Sequence, residues 1–358
     1  MSTITLQKLW IEQTNAKGGI FVKKYGKRIP VELVLYDNNS DVETCVKMVE
    51  KLILQDKVDF ILAPWGSGFC FAIAPIVTKY GLVSIGCAST GTPDIREKLV
   101  HATYFFNILN QPLSQATAAV ELLKEFGVKS VAIIYVADLF GIEHSGTIAP
   151  LLGQTDINIS MVKAYPLGAT DLSPLIKRID AANVDGVLAY SYPDSTFLLT
   201  KQMITLNYNP KLLYFGVGQH YPDYRDSFGV DTVEGIMGVG AWNKKVPAPG
   251  AKEFFDAYVK KFGKEPPRWG EASYYAGLQV IEQAIEKVGS LDRAKIRDVI
   301  AKETFSTVNG PVKFVNQSNI YFPGEAGQWQ KGEYEIIAPK DKRTANPIYP
   351  KPKWPGSK

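Results

Sequence analysis

The chain has 358 residues, 46% hydrophobic and 21% charged, with a formal net charge of +4. That length exceeds one ordinary core and points to two domains, and the composition suits a soluble globular protein. No block of basic residues argues for nucleic acid, no apolar run reaches the length of a membrane span, and Cys45, Cys70 and Cys87 have no metal-ligand spacing. An odd cysteine count leaves at least one thiol unpaired, and burial as small apolar side chains is the simplest role for them.

Helix and strand patterns alternate along the chain. A helix over Leu6–Ala16 stops at Lys17-Gly18-Gly19, and Val31–Tyr36 reads as a strand. Asp37 to Asp41 supplies turn and capping residues. The next helix, about Val42–Leu54, carries Val42, Cys45, Val46, Val49, Leu52 and Ile53 on one face. Phe60–Ala63 and Leu82–Ile85 read as buried parallel strands. Each ends in a small polar loop, Gly66-Ser67-Gly68 and Ala88-Ser89-Thr90-Gly91. A helix of about Phe69–Lys79 follows the first loop, and Thr92-Pro93-Asp94 suits a helix start after the second. In an open parallel sheet such loops lie side by side beyond the strand ends, where free backbone N–H groups and hydroxyls receive an anion.

After a strand at Phe105–Leu109 and a break at Gln111-Pro112, a second series begins. Its strands are expected at Ser130–Tyr135, Ser160–Lys163, Gly186–Tyr190 and Leu212–Phe215, with helices near 114–126, 141–152, 172–182 and 194–206. Two such series predict an α/β protein of two doubly wound lobes. A Gly-rich strand at Gly235–Trp242 and helices near 250–262, 272–288 and 292–302 come next. From Thr304 the tail is short strands and turns ending in Pro-rich polar sequence, whose composition allows partial disorder.

The order of several motifs resembles the solute-binding proteins of ATP-driven branched-chain amino acid importers, the type I periplasmic-binding fold. They are Asn15-Ala-Lys-Gly-Gly-Ile, Val34-Leu-Tyr-Asp-Asn-Asn-Ser-Asp, Gly66-Ser-Gly with Ala74-Pro-Ile, and Ala88-Ser-Thr. Val131-Ala-Ile-Ile-Tyr with Leu139-Phe-Gly, Tyr165-Pro-Leu-Gly-Ala-Thr-Asp-Leu-Ser-Pro, Ser191-Tyr-Pro and Gly310-Pro-Val continue the series. The resemblance covers nearly the whole chain. It implies two three-layer α/β/α lobes joined by a three-stranded hinge and closing on a small ligand. The first lobe would hold 1–108 and 241–308, the second 109–240 and 309–358. It further implies an extracytoplasmic monomer that binds a small molecule without chemistry or cofactor and delivers it to a membrane permease.

Carried over singly, the family's carboxylate-gripping positions match Ser67, Ala88 and Thr90, with Ser89 beside them, and its aromatic clamp matches Phe140 and Tyr192. Two departures matter. Where amino-acid binders carry an acid for the ligand's ammonium, this chain reads Phe215-Gly-Val-Gly-Gln-His-Tyr, so Gly218 stands there with Gln219 and His220 beside it. A buried ammonium without a partner is costly. Together with Trp65, Phe69 and Tyr221, this favours an apolar or aromatic carboxylate over an α-amino acid. The family also begins with a strand and a Gly/Ser/Thr loop before its first helix. Here Met1 runs almost directly into Leu6-Gln-Lys-Leu-Trp-Ile, with no export signal pattern before it. A gap in the first sheet and a truncated start are the expectations.

Competing readings are weaker on the residues. Ser67 is flanked by Trp65 and Phe69 rather than the glycines of a nucleophile elbow, and no triad partner is apparent. A plain helix cap is its bland role. Gly216-Val-Gly218 lacks the third glycine of a dinucleotide loop, since Tyr221 stands there. His101 and His144 read as surface or capping residues, His220 as a pocket candidate, and metal binding by any of them is not expected. Trp269 and Tyr274-Tyr275 suit a helix packed in a core. A cytoplasmic ligand sensor of the same fold, controlling a partner protein, is the alternative function, and a doubly wound enzyme comes third.

Overall fold

The computed structural model describes residues 4–86, 97–98 and 101–356. Along the chain come α1 (Ile4–Ala16), β1 (Ile20–Val22), β2 (Lys27–Ile29), α2 (Val42–Leu54), β3 (Ile61–Leu62), α3 (Ser67–Lys79), β4 (Ser84–Gly86) and β5 (Phe105–Asn107). Next are α4 (Pro112–Glu125), β6 (Ser130–Val136), α5 (Leu139–Leu152), β7 (Asn158–Tyr165), α6 (Ser173–Ala181), β8 (Gly186–Tyr190), α7 (Pro193–Thr205) and β9 (Leu212–Phe215). Then follow α8 (Pro222–Phe228), α9 (Val230–Val233), β10 (Met237–Ala241), α10 (Ala251–Phe262), α11 (Gly270–Val288) and α12 (Arg293–Lys302). The chain closes with β11 (Thr304–Thr307), β12 (Gly310–Val315), β13 (Ser318–Asn319), β14 (Gly324–Gln330) and β15 (Glu333–Ala338). They form two compact units, the first from residues up to Asn110 with Lys244–Pro266 and Gly270–Phe322, the second from the remainder.

The first unit is built on a six-stranded sheet of order β11-β12-β13-β5-β4-β3, parallel from β13 to β3. Helix α2 starts at Asp41, whose Oδ1 accepts the Thr44 N–H at 2.7 Å. Its buried face of Cys45, Val49 and Ile53 packs with Cys70, Ile73, Ala74 and Val77 of α3 and with Ile61, Ala63 and Phe105 from the sheet. Cys45 and Cys70 are buried, form no disulfide among the described residues and pack as small apolar side chains; Cys87 lies outside the described residues. Helix α11 comes close to the sheet at Gly277, where a Cβ would stand 3.0 Å from Ile85.

Two expectations are corrected in this unit, and one element is new. Val31–Tyr36 forms no strand: a ladder needs a partner, and β3 is the last strand on its side of the sheet. The segment is tied instead at Val31, whose N–H and C=O both bond the Asn15 side chain at 2.8 Å, and Leu35 is 51% exposed. Residues 20–29, between the first helix and that segment, fold into the antiparallel β1–β2 hairpin, which sequence reading missed. Gly19 (φ +98°) makes the close turn against Ile29 that a side chain would block. Residues 309–322, assigned by sequence to the second lobe, belong to the first unit, because β12 pairs with β11 and β13 pairs with β5 through Ser318 and Asn107.

The second unit has a seven-stranded sheet of order β15-β14-β10-β9-β8-β6-β7, parallel from β10 to β7 and antiparallel at β14 and β15. The buried runs Val131–Ile134 and Val187–Tyr190 are the near-continuous apolar strands that a sheet covered on both faces requires. The Pro-rich tail is not loose. Ile348 is bracketed by the Gln328 amide at 2.8 and 2.9 Å, Tyr349 stacks on Phe126 at 4.9 Å, and the Trp354 indole N–H donates to the Tyr208 carbonyl at 2.8 Å. The Lys351 ammonium is buried and donates to Asn209 Oδ1 and the Pro352 carbonyl at 2.8 and 2.7 Å.

Candidate functional site

In the first unit the candidates sit where β3 turns into α3. Gly66 has φ 122° and ψ 141°, a backbone region essentially reserved for glycine, and it reverses the chain so that Ser67 opens the helix. By position, the first-turn N–H groups of this 13-residue helix lack carbonyl partners within the helix, and Ser67 among them is buried. A Cβ added at Gly68 would meet nothing within 4 Å among the described residues. Tyr274 fixes the approach by donating its O–H to the Ala63 carbonyl at 2.9 Å. Trp65 lies against Gly270, where any side chain would collide with the indole, and 6.0 Å from the Tyr274 ring. The next residue, Glu271, is buried, and desolvation pushes its carboxyl up to about 7. Sequence reading missed Glu271, because nothing in its spacing signals burial. Ala88, Ser89 and Thr90 lie outside the described residues.

In the second unit β6 ends at Val136, and Asp138 caps α5, its Oδ1 accepting the Gly141 N–H at 3.0 Å. Gly141 allows the helix to start against the Val136 carbonyl. This brings Phe140 onto Tyr192, with ring centroids 5.0 Å apart and planes 26° from parallel. Tyr192 donates its O–H to Asp138 Oδ2 at 2.7 Å, and that anion together with burial keeps the phenol protonated. The two clamp candidates therefore do meet, with the partly buried Asp138 carboxylate beside them, a residue that sequence reading did not single out.

His144 supports this pair from beneath, its ring 4.3 Å from Phe140 and 5.0 Å from Tyr190. Burial pushes it down to about 4, so it is neutral. A neutral imidazole has one N–H, and Nδ1 stands 2.9 Å from the Phe140 carbonyl oxygen. Nε2 stands 2.8 Å from Gln115 Oε1, so the tautomer decides which of the two carbonyl oxygens receives the ring N–H. The sequence reading of His144 as a surface or capping residue is thereby corrected: the helical period points it into the unit.

Gln219 and His220 belong to a different cluster. Gln219 Nε2 donates to the Tyr334 hydroxyl at 3.2 Å, and its carbonyl accepts the Trp329 indole N–H. His220 is fully buried among Tyr221 at 4.5 Å, Trp269 at 5.4 Å and Tyr334 at 6.4 Å, and desolvation pushes it down to about 3. Gly218 (φ +108°) cannot carry a side chain: a Cβ would stand 2.7 Å from the Pro193 Cα. Among the described residues no group of three or more His, Cys, Asp or Glu side chains is placed to hold a metal, and no helix is long and apolar enough to cross a membrane.

The sequence profile of the family described as periplasmic binding protein matches residues 6–322. The chain belongs to that family. A relative named Leu/Ile/Val-binding protein homolog 7, from Brucella suis, is 26% identical over 345 residues, covering 92% of this chain and 84% of its own. Among solved structures, the branched-chain amino acid transporter substrate-binding protein LivJ of Streptococcus pneumoniae, in complex with isoleucine, is 20% identical. It superposes with a TM-score of 0.81 over 97% of this chain and 94% of its own. The leucine-binding protein LivK of Thermotoga maritima gives a TM-score of 0.77 at 23% identity, over 92% of each chain. These neighbours share the type I fold expected from sequence. The family is one of binding proteins rather than enzymes.

Proposed function

We propose that this periplasmic binding protein works outside the cytoplasm, captures a small organic acid and presents it to the membrane permease of an ABC importer. The observation that carries the reading is the start of α3: its first-turn N–H groups, with Ser67 among them and a Gly68 whose Cβ would meet nothing within 4 Å among the described residues, suit a carboxylate. Hydrogen bonds to a charged group contribute roughly 1.5–3 kcal/mol each. Three or four of them suffice for micromolar affinity. In the second unit the Phe140–Tyr192 stack offers an apolar face of its own for such a solute. Because Gly218 has no room for an acid, an apolar or aromatic carboxylate is the favoured class.

One observation favours a second class. Asp138 stands beside the aromatic pair, where a carboxylate meets an ammonium, and the solved neighbours include complexes with isoleucine and leucine. A thermal-shift screen with aliphatic, aromatic and keto carboxylates beside the twenty amino acids separates the two. A shift with the acids alone supports the first class, and a shift with leucine or isoleucine alone replaces it by the second. Gly68→Ala fits the fold, since its Cβ meets nothing within 4 Å among the described residues, yet adds a methyl group at that turn. It is expected to keep the melting temperature and lose the ligand shift; an unchanged ligand shift would take the carboxylate away from α3.

A further inference from the structure

The β1–β2 hairpin has no part in the solute reading. Residues 23–28 read Lys-Lys-Tyr-Gly-Lys-Arg, four cations in six positions of a chain whose whole net charge is +4. Every one of these residues is exposed. Strand alternation turns Ile20 and Val22 inward and leaves Phe21 outside at 40% exposure, with Tyr25 at 49% on the tip. The tip is held in shape: Lys24 N–H donates to the Gly289 carbonyl at 2.8 Å, Arg28 donates to the Gly19 carbonyl at 2.7 Å, and Gly26 makes the left-handed turn. Nearby acids serve Arg28 and Lys17 rather than the hairpin lysines. Glu286 stands 3.9 Å from Arg28 and Glu282 interacts with Arg28 and with Lys17, while Lys23, Lys24 and Lys27 make no ion pair among the described residues.

We propose that this hairpin is a docking element for an anionic lipid surface. Cations flanking two exposed aromatic rings match a headgroup layer, where the charges meet phosphates and the rings enter the interface. A ten-residue hairpin is too small for a stable protein interface, which takes roughly 20–30 residues a side. Lipid binding needs only a few such groups and is weak, reversible and salt-sensitive. It would hold the protein near the membrane, so that it searches for its permease in two dimensions.

The test is co-sedimentation of the full chain with vesicles of phosphatidylcholine alone or mixed with phosphatidylglycerol, at low and high salt. Binding is expected only with phosphatidylglycerol and is lost in high salt. The triple variant Lys23→Gln, Lys24→Gln, Lys27→Gln should weaken it roughly a hundredfold, at about fivefold per lysine. Lys163→Gln, Lys177→Gln, Lys201→Gln, which removes the same charge from exposed sites in the second unit, should leave it nearly unchanged. Equal loss in both variants would reduce the effect to net charge and overturn the proposal. So would equal binding to both vesicles, or no binding to either. Hairpin-dependent binding to immobilised polyglutamate without vesicle binding would overturn the lipid assignment in favour of an acidic protein partner. Ligand shifts measured on the same variants should match the wild type, so failure here is distinguishable from failure of the solute reading.

Discussion

Two stretches with the same sequence signal, Val31–Tyr36 in the first unit and Asn158–Tyr165 in the second, end in different states. Both are short, rich in apolar and β-branched residues and followed by a turn. Asn158–Tyr165 becomes β7, because the buried strand β6 pairs with it along its length. Val31–Tyr36 has no strand to lie against and stays extended outside any ladder. The pattern states what a segment can become; the neighbour decides whether it does. The same holds for the unit edges: β7 is an eight-residue edge strand and β3 a two-residue one.

That contrast is open to challenge, beginning where the effect is largest. Gly141→Ala pushes a methyl group into the Val136 carbonyl at the start of α5 and should destabilise the second unit by about 3 kcal/mol. Urea unfolding with probes in each unit should show only the second unit's transition moving; a loss in both would show that they unfold as one.

The pH response should differ in sign. In the second unit His144 is held down to about 4 and His220 to about 3. Both are neutral in the fold, so their contribution is present above pH 6.5 and lost as pH falls through their folded values. For His144 alone the full loss is about 3 kcal/mol. In the first unit Glu271 is raised to about 7. Its contribution is present below its unfolded value and lost as pH rises through 7. Hydrogen exchange, corrected for the intrinsic rate, should show the second unit weakening between pH 6.5 and 4 while Glu271 opposes such a loss in the first. Parallel weakening of the α11 start would contradict the burial of Glu271.

Smaller effects sharpen the picture. Tyr192→Phe keeps the stack on Phe140 and deletes the bond to Asp138. It should destabilise the second unit by about 2 kcal/mol, as the loss of one hydrogen bond to a charged group implies, and calorimetric unfolding would read it. Leu35→Ser alters an exposed side chain outside the ladders and should change stability by less than about 0.5 kcal/mol. A loss above 1 kcal/mol would mean that 31–36 packs far more closely than its exposure shows.

Much of this was legible from residue order. Helices such as α2 and α11 announce themselves by apolar period, and Phe140 and Tyr192 by standing just past strand ends. What escaped has physical reasons. The β1–β2 hairpin has three-residue strands, too short for a period to register. Asp138 was not singled out: the structure shows that it caps α5, and only the fold brings Tyr192 to its second oxygen. Residues 309–322 owe their unit to a pairing with Asn107 that no local pattern encodes. Gln219 and His220 looked like site residues because they follow a strand end, but Trp329 and Tyr334, more than a hundred positions later, enclose them.

The pairing of β13 with β5 also sets a timetable. Asn319 donates to the Ile108 carbonyl across 211 residues of chain. During synthesis the first unit must wait for that segment to leave the ribosome before its sheet can run from β5 to β11. The parallel strands β6 to β10 of the second unit emerge consecutively and can pair as they come. Nascent first-unit strands are thus exposed the longest, and folding of this chain is governed by its last third rather than its first.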